Sequence, residues 1–192
     1  MPLPGSVFAA PPGVHGFDVN SVLNRRTCET AKARGFAFCI RYVSRQDVQP
    51  KEDLSEIEAS IILDAGLALM PVQHVTPESW SSQALGTRNG KNAAKHAQQI
   101  GFPEGVNVWL DLEGAKASTP HETMIAYCKT SAAPCSGCPR VDRLTREFLN
   151  GPPRPHCDPQ CLKSISIRSA RPPPMSLFGL GSKIAIFGTS SR

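Results

Sequence analysis

Two hydrophobic periods alternate along the first 130 residues. Short apolar runs of strand length occur at "GVHGFDV" (13–19), "FAFCIRYV" (36–43), "LALMPVQH" (67–74) and "VNVWLDLE" (106–113). Between them, apolar positions recur at helical spacing. In "NSVLNRRTCETAKARG" they are Val22, Cys28 and Ala31, with Gly35 as the stop. "KEDLSEIEASIILDAG" predicts a helix with Leu54, Ile57, Ile61 and Ile62 in one stripe, acids leading and Gly66 ending it. "GTRNGKNAAKHAQQIG" predicts a third helix closed by Gly101. "STPHETMIAYCK" opens a fourth, with Ser118 or Thr119 as cap and Pro120 in the first turn.

Four strand–helix alternations predict a parallel sheet with helical crossovers. Two architectures fit, an open doubly wound sheet and part of a (β/α)8 barrel. No βα turn carries a Gly-rich phosphate loop or a Walker motif, which argues against nucleotide binding and leaves no cofactor expected. In a barrel, chemistry gathers at the C-terminal strand ends. Asp18, Arg41, Gln73 or His74, and Asp111 with Glu113 occupy those ends.

Side chains alternate across a strand, so Asn107, Trp109, Asp111 and Glu113 share one face. Val106, Val108, Leu110 and Leu112 share the other, which is apolar throughout and fit to pack under helices. Asp111 and Glu113 thus point together into a barrel mouth above Trp109, and Asp18 takes the equivalent end of the first strand. One acid kept protonated beside one ionised is what glycosidic cleavage requires. The competing reading makes Asp111 a helix cap and Glu113 a solvated loop residue. Arg41 is read as inward, by parity with Ala37 and Cys39, where it holds Asp18 or a substrate acid, or serves as an ion-pair partner within the barrel.

The segments "GFDVNSVL", "FCIRYVSR", "ILDAGLALMPVQ" and "IGFPEGVNVWLDLEG" together resemble the glycoside-hydrolase-like domain family, which is similar in architecture to the family-25 lysozymes. The resemblance covers about residues 13–128. It implies the first four βα units of a TIM-type barrel and an activity on bacterial cell-wall glycan of the peptidoglycan type. It also implies roles: Glu113 as general acid; Asp111 orienting substrate or a water, or steadying a neighbouring N-acetyl group that attacks in its place; Asp18 as the third acid. Arg41, Gln73 and Trp109 are the expected substrate contacts. Members of this family are often secreted, yet "MPLPGSVFAAPPGVHG" has neither a basic start nor an apolar stretch of signal length.

Composition changes the picture after residue 130. Hydrophobic residues at 40% and charged residues at 19% suit a folded soluble domain overall. The net charge of +5, however, is unevenly spread. Residues 1–130 hold 12 basic and 13 acidic residues, whereas residues 131–192 hold 9 and 3, with 9 of the 18 prolines and four of the seven cysteines. The sequence therefore divides into an N-terminal extension (1–12), a glycoside-hydrolase-like half barrel (13–130) and an irregular, basic, Pro/Arg/Ser/Cys-rich tail (131–192). The tail offers one helical candidate at Val141–Leu149 and one strand candidate at Lys183–Phe187, not four further βα units. It resembles a GC-rich gene read out of frame, with the frame lost near Lys129.

Two further readings concern the tail. Cys135, Cys138, Cys157 and Cys161 approximate a four-thiolate zinc spacing, although the second pair is one residue too wide. The basic charge suggests nucleic acid, but Phe148, Phe178 and Phe187 are its only aromatics, so no nucleic-acid partner is expected. Two functions from different classes stand: a hydrolase-like domain that is weakly active or inactive because its second half is missing, and a non-catalytic glycan-binding or zinc-stabilised interaction protein. Cys28 and Cys39 read as small core residues. Four strands alone leave unpaired edges at the first and the fourth, which predicts low stability.

Overall fold

The computed structural model describes residues 1–9, 13–74, 83–112, 118–131, 140–142, 163–166 and 185–188. Twelve elements follow in the order β1 (Ser6–Ala9), β2 (His15–Val19), α1 (Arg25–Ala33), β3 (Phe38–Val43), α2 (Glu56–Asp64), β4 (Ala68–Gln73), α3 (Gln83–Ile100), β5 (Asn107–Leu110), α4 (His121–Ser131), β6 (Arg140–Asp142), β7 (Lys163–Ser166) and β8 (Ala185–Gly188). Strands β2, β3, β4, β5 and β6 are parallel neighbours in sequence order. The four expected strands and four expected helices are present, in an α/β fold built on a parallel sheet.

Each helix end follows from a local residue choice. Asn24 caps α1 by accepting from the Thr27 N–H at 3.0 Å, and Ser55 caps α2 by accepting from the Glu58 N–H at 3.1 Å. Gly35, Gly66 and Gly101, at φ of 88°, 78° and 104°, end α1, α2 and α3 in the left-handed region that a Cβ disfavours. All three close identically. The glycine N–H bonds Lys32, Leu63 or Gln98, and the following Phe36, Leu67 or Phe102 N–H reaches back to Ala31, Ile62 or Ala97. The hydrophobe after each glycine then turns inward; Phe36 and Leu67 lead directly into β3 and β4, and Phe102 is followed by a further turn before β5.

The two faces of the sheet carry different cores. Phe17, Cys39, Val43, Leu69, Val108 and Leu110 pack under the four helices with Cys28, Ala31, Ile62, Leu63, Ala93, Ala97 and Tyr127. Phe38, Ile40, Ala68, Met70, Val72 and Trp109 form a second cluster on the opposite face. Gly16 belongs to that face, and a Cβ there would run into the Phe38 ring. Helices α3 and α4 touch at two further glycines, since a Cβ on Gly86 would meet Thr130 and the Tyr127 carbonyl, and one on Gly90 the Ser131 backbone.

Several expectations change. The edges do not stay open: β6 pairs the outer edge of β5 in parallel, and β7 pairs the outer edge of β2 antiparallel. Unpaired strand edges accept any extended segment that reaches them. Val141 and Asp142 accordingly lie in β6 and not in a helix, while 143–149 lie outside the described residues. The strand expected at Lys183–Phe187 is β8, which pairs antiparallel with β1 and touches β4 at Leu69. The N-terminal segment is built in, with Leu3 buried and its N–H bonded to Gly101 at 2.9 Å. Helix α2 is also rotated from its expected stripe: Ile57 is 75% exposed, and the charged Glu58 is buried.

Cys28, Cys39 and Cys128 are buried. Burial pushes the Cys28 thiol up from 9.0 to about 11, and the Glu58 carboxylate adds in the same direction. The unfolded chain releases that proton first, so this contribution is intact below about pH 9 and is lost as pH rises through about 11. At ~1.4 kcal/mol per unit the loss is on the order of 2–3 kcal/mol. Urea midpoints measured from pH 8 upward should fall along this limb, and more gently in a Cys28→Ala variant. Equal slopes in both proteins would contradict the assignment.

Candidate active site

The site is set by register. Asp18 on β2 lies opposite Ile40 on β3, and Ile40 lies opposite Met70 on β4. Two residues further along, Tyr42 lies opposite Val72, which lies opposite Trp109 on β5. One step past the last pair, Gln73 and Leu110, come His74 and Asp111, on adjacent strands ~4.8 Å apart. By alternation Asp18, Tyr42, His74 and Asp111 all belong to the face of Trp109. They form a diagonal row across the C-terminal ends of β2 to β5, rising two residues at each of its first two steps.

Contacts tie the row together. The Tyr42 hydroxyl donates to Asp18 Oδ2 at 3.2 Å. Its ring faces the His74 ring with centroids 4.8 Å apart and planes inclined by 32°. His74 Nε2 lies 3.1 Å from Oδ1 of Asp53, whose side chain is 1% exposed. That contact is ionic in range but not an aligned hydrogen bond, and neither Asp53 oxygen has a hydrogen-bond partner among the described residues. Asp18 Oδ1 and Trp109 Nε1 are likewise buried without one. Asp111 is 8% exposed, and Leu112 after it turns to the helix-covered core.

Two expected substrate contacts face the other way. Arg41 is not inward: it shares the helix-covered face with Cys39 and Val43 and is fully buried. Its Nε donates to Glu58 Oε1 at 2.7 Å and its Nη2 to Oε2 at 3.0 Å. The remaining donors reach the Val19 carbonyl and the Glu52 carbonyl, both at 2.8 Å. Glu58 Oε1 also accepts the Leu23 N–H at 2.8 Å. Arg41 is thus an ion-pair partner under α2 that fixes the backbone beside Asp18 and beside Asp53. Gln73 is on the same helix-covered side, where its Nε2 donates to the Tyr127 hydroxyl at 3.1 Å. Trp109 is where parity puts it, two residues before Asp111 and packed with Met70 and Val72.

Sequence reasoning missed Tyr42 and Asp53 and left His74 as an alternative to Gln73. A signal existed in Glu58, an acid among the apolar positions of α2 that needs a buried cation and so draws Arg41 outward. Glu113 and the four tail cysteines lie outside the described residues. Among the described residues no cluster of three His, Cys, Asp or Glu side chains is placed to hold a metal ion, and no helix is long and apolar enough to cross a membrane.

A parallel sheet in sequential strand order, with helices packed on one face and acids at the C-terminal ends, defines an α/β domain. The chain belongs to the Rv2525c-like, glycoside hydrolase-like domain family, whose profile matches residues 29–135. That stretch contains Tyr42, Asp53, His74, Asp111 and Glu113, and begins after Asp18. In fold the chain is similar to the Mycobacterium tuberculosis Tat-secreted protein Rv2525c. Against its crystal structure with L-tartrate the TM-score is 0.53 at 14% identity, covering 70% of this chain and 68% of that one. Against the form with HEPES the TM-score is 0.51 at 14% identity, with 69% and 67% covered. A search of curated proteins gives no significant match.

Proposed function

We propose that the chain is a glycan-recognising, glycoside-hydrolase-like domain acting on polymers of the bacterial cell-wall type, and that this chain turns them over weakly or not at all. The observation that carries the reading is the Asp18, Tyr42, His74 and Asp111 row on one face of the sheet, with buried polar atoms on Asp18 and Trp109 that find no hydrogen-bond partner among the described residues. Sequential parallel order with the helices packed on one face supports a barrel origin, because a doubly wound sheet carries helices on both faces. In this reading residues 13–130 are the barrel part, and residues 131–192 are a tail whose strands β6, β7 and β8 join its sheet.

The roles are those that the family resemblance implies for Asp111 and Glu113, two acids separated by one residue in the sequence. Glu113 gives a proton to the leaving oxygen. Asp111 orients a substrate N-acetyl group, which can replace an enzymic nucleophile in substrate-assisted hydrolases. Asp18 and Tyr42 hold sugar hydroxyls on the far side of the row. Efficient cleavage also needs an opposing wall that excludes water. Beyond β5 the sheet continues through β6, and the antiparallel β7 and β8 pair elsewhere, so no further βα unit builds that wall among the described residues.

The test is release of soluble fragments from purified cell walls, with co-sedimentation measured in parallel. The wild-type chain is expected to sediment with the walls and to release no more material than a Glu113→Gln variant. Turnover that disappears in the variant would show a complete catalytic site and overturn the weak-activity reading. Failure to sediment would remove the glycan.

A further inference from the structure

Asp53 is an unusual residue to keep. Its carboxylate is buried in the β3–α2 connection, and neither oxygen accepts a hydrogen bond among the described residues. A carboxylate withdrawn from water without hydrogen bonds destabilises a fold unless a cation offsets it. The one basic side chain in contact with it among the described residues is His74, whose Nε2 lies 3.1 Å from Oδ1. The fold nevertheless secures this loop from both sides. Arg41 bonds the Glu52 carbonyl, the Asp53 N–H bonds the Pro50 carbonyl at 3.2 Å, and the Leu54 N–H bonds the Tyr42 carbonyl at 2.9 Å. A costly acid held this firmly against an imidazole points to function.

We propose that Asp53 and His74 form a fixed dyad in which Asp53 holds His74 through Nε2, leaving Nδ1 to accept a hydroxyl of the bound glycan beside Asp111. The inference rests on the glycan reading above and adds a substrate-contacting residue to it. Anchoring one imidazole nitrogen on a carboxylate fixes the ring and its tautomer and leaves the other nitrogen for the ligand. The His74 side chain is 31% exposed, so the ring is not sealed in the core. Ring contact with Tyr42 restricts rotation and completes an apolar platform beside that acceptor. The partner chemistry is a neutral sugar ring: one C–H face for the Tyr42–His74 pair and one hydroxyl donor for Nδ1. Among the described residues, the charged and titratable groups around His74 are Asp53 from the β3–α2 connection, Tyr42 from β3 and Asp111 just past β5, and Tyr42 leads on to Asp18.

The experiment uses the full chain and a β-1,4-linked tetrasaccharide of N-acetylglucosamine as probe, with binding by calorimetry and stability by thermal unfolding. His74→Phe keeps the ring platform but loses both nitrogens, and is expected to weaken binding by about tenfold, one hydrogen bond's worth. Asp53→Asn is expected to weaken binding by a smaller factor while leaving the melting temperature unchanged or raised, since a poorly bonded buried charge is removed. Imidazole nitrogen NMR on the unliganded protein should show Nε2 of His74 protonated in the wild type and a tautomer mixture in Asp53→Asn. Wild-type binding with an unaffected His74→Phe variant overturns the dyad and leaves the glycan reading intact. An Asp53→Asn variant with a lowered melting temperature and full affinity makes Asp53 structural and also overturns it. A wild-type chain that does not bind the tetrasaccharide removes both.

Discussion

Replacing Arg41 with methionine is expected to destabilise the fold by about 3–5 kcal/mol, because it leaves the buried Glu58 carboxylate without its counter-charge. The guanidinium makes four bonds of 2.7–3.0 Å and joins β3, the end of β2, the β3–α2 connection and α2. A lysine cannot reproduce that fork, so Arg41→Lys should recover only part of the loss. The informative variant is the double replacement Arg41→Met with Glu58→Leu. Removing both charges takes away the desolvation cost along with the attraction, and denaturant midpoints should place the double variant above Arg41→Met alone. A double variant no more stable than the single would mean that the carbonyl contacts at Val19 and Glu52, and not the ion pair, dominate.

The second large effect concerns the approach of α3 to α4. Alanine at Gly90 drives a Cβ into the Ser131 carbonyl, with the Ser131 Cα only 2.8 Å away. Alanine at Gly86 meets the Tyr127 carbonyl at 2.7 Å. Overpacking against backbone costs about 1–3 kcal/mol per site, against a helix-propensity gain of ~1 kcal/mol for each glycine removed. The pair together should lower the melting temperature by several degrees, at ~2–4 °C per kcal/mol for a chain of this size. Tyr127 also moves with α4, so its hydroxyl contacts with Gln73 and with Asn89 at 2.9 Å should weaken. A double variant as stable as the wild type would show that the two helices can separate without loss.

How far the sequence foretold this depends on the element. Helix stops were legible because a glycine followed by a hydrophobe has one efficient local solution, and the chain uses it three times. On β5 the alternation was legible too, since one face ends in acids and the other stays apolar. β3 defeated the same logic. "FCIRYV" is apolar on both sides, as expected of a strand buried on both faces, so periodicity could not say which side bears Arg41 and which bears Tyr42. One position of parity separates a substrate contact from a buried ion pair, and the same step separates Gln73 from His74. Asp53 was invisible for another reason. Its role depends on a loop path fixed by Arg41 and the Tyr42 carbonyl, contacts that no local pattern encodes.

The three glycine closures carry an implication for how this protein can change. At the α1–β3 and α2–β4 junctions the backbone bonds straight back to the helix and the next residue is already committed to the core, so one inserted residue after Gly35 or Gly66 would turn a whole strand over. The β3–α2 connection is anchored differently, with side chains added to its backbone bonds: Arg41 on the Glu52 carbonyl at 2.8 Å, Asn92 on the Arg45 carbonyl at 2.9 Å and His96 on the Gln46 carbonyl at 2.8 Å. Loops held by side chains can be lengthened or re-sequenced while the strands keep their register. New binding chemistry is therefore open to this fold at the β3–α2 connection, beside Asp53, and the α1–β3 and α2–β4 junctions are closed to it.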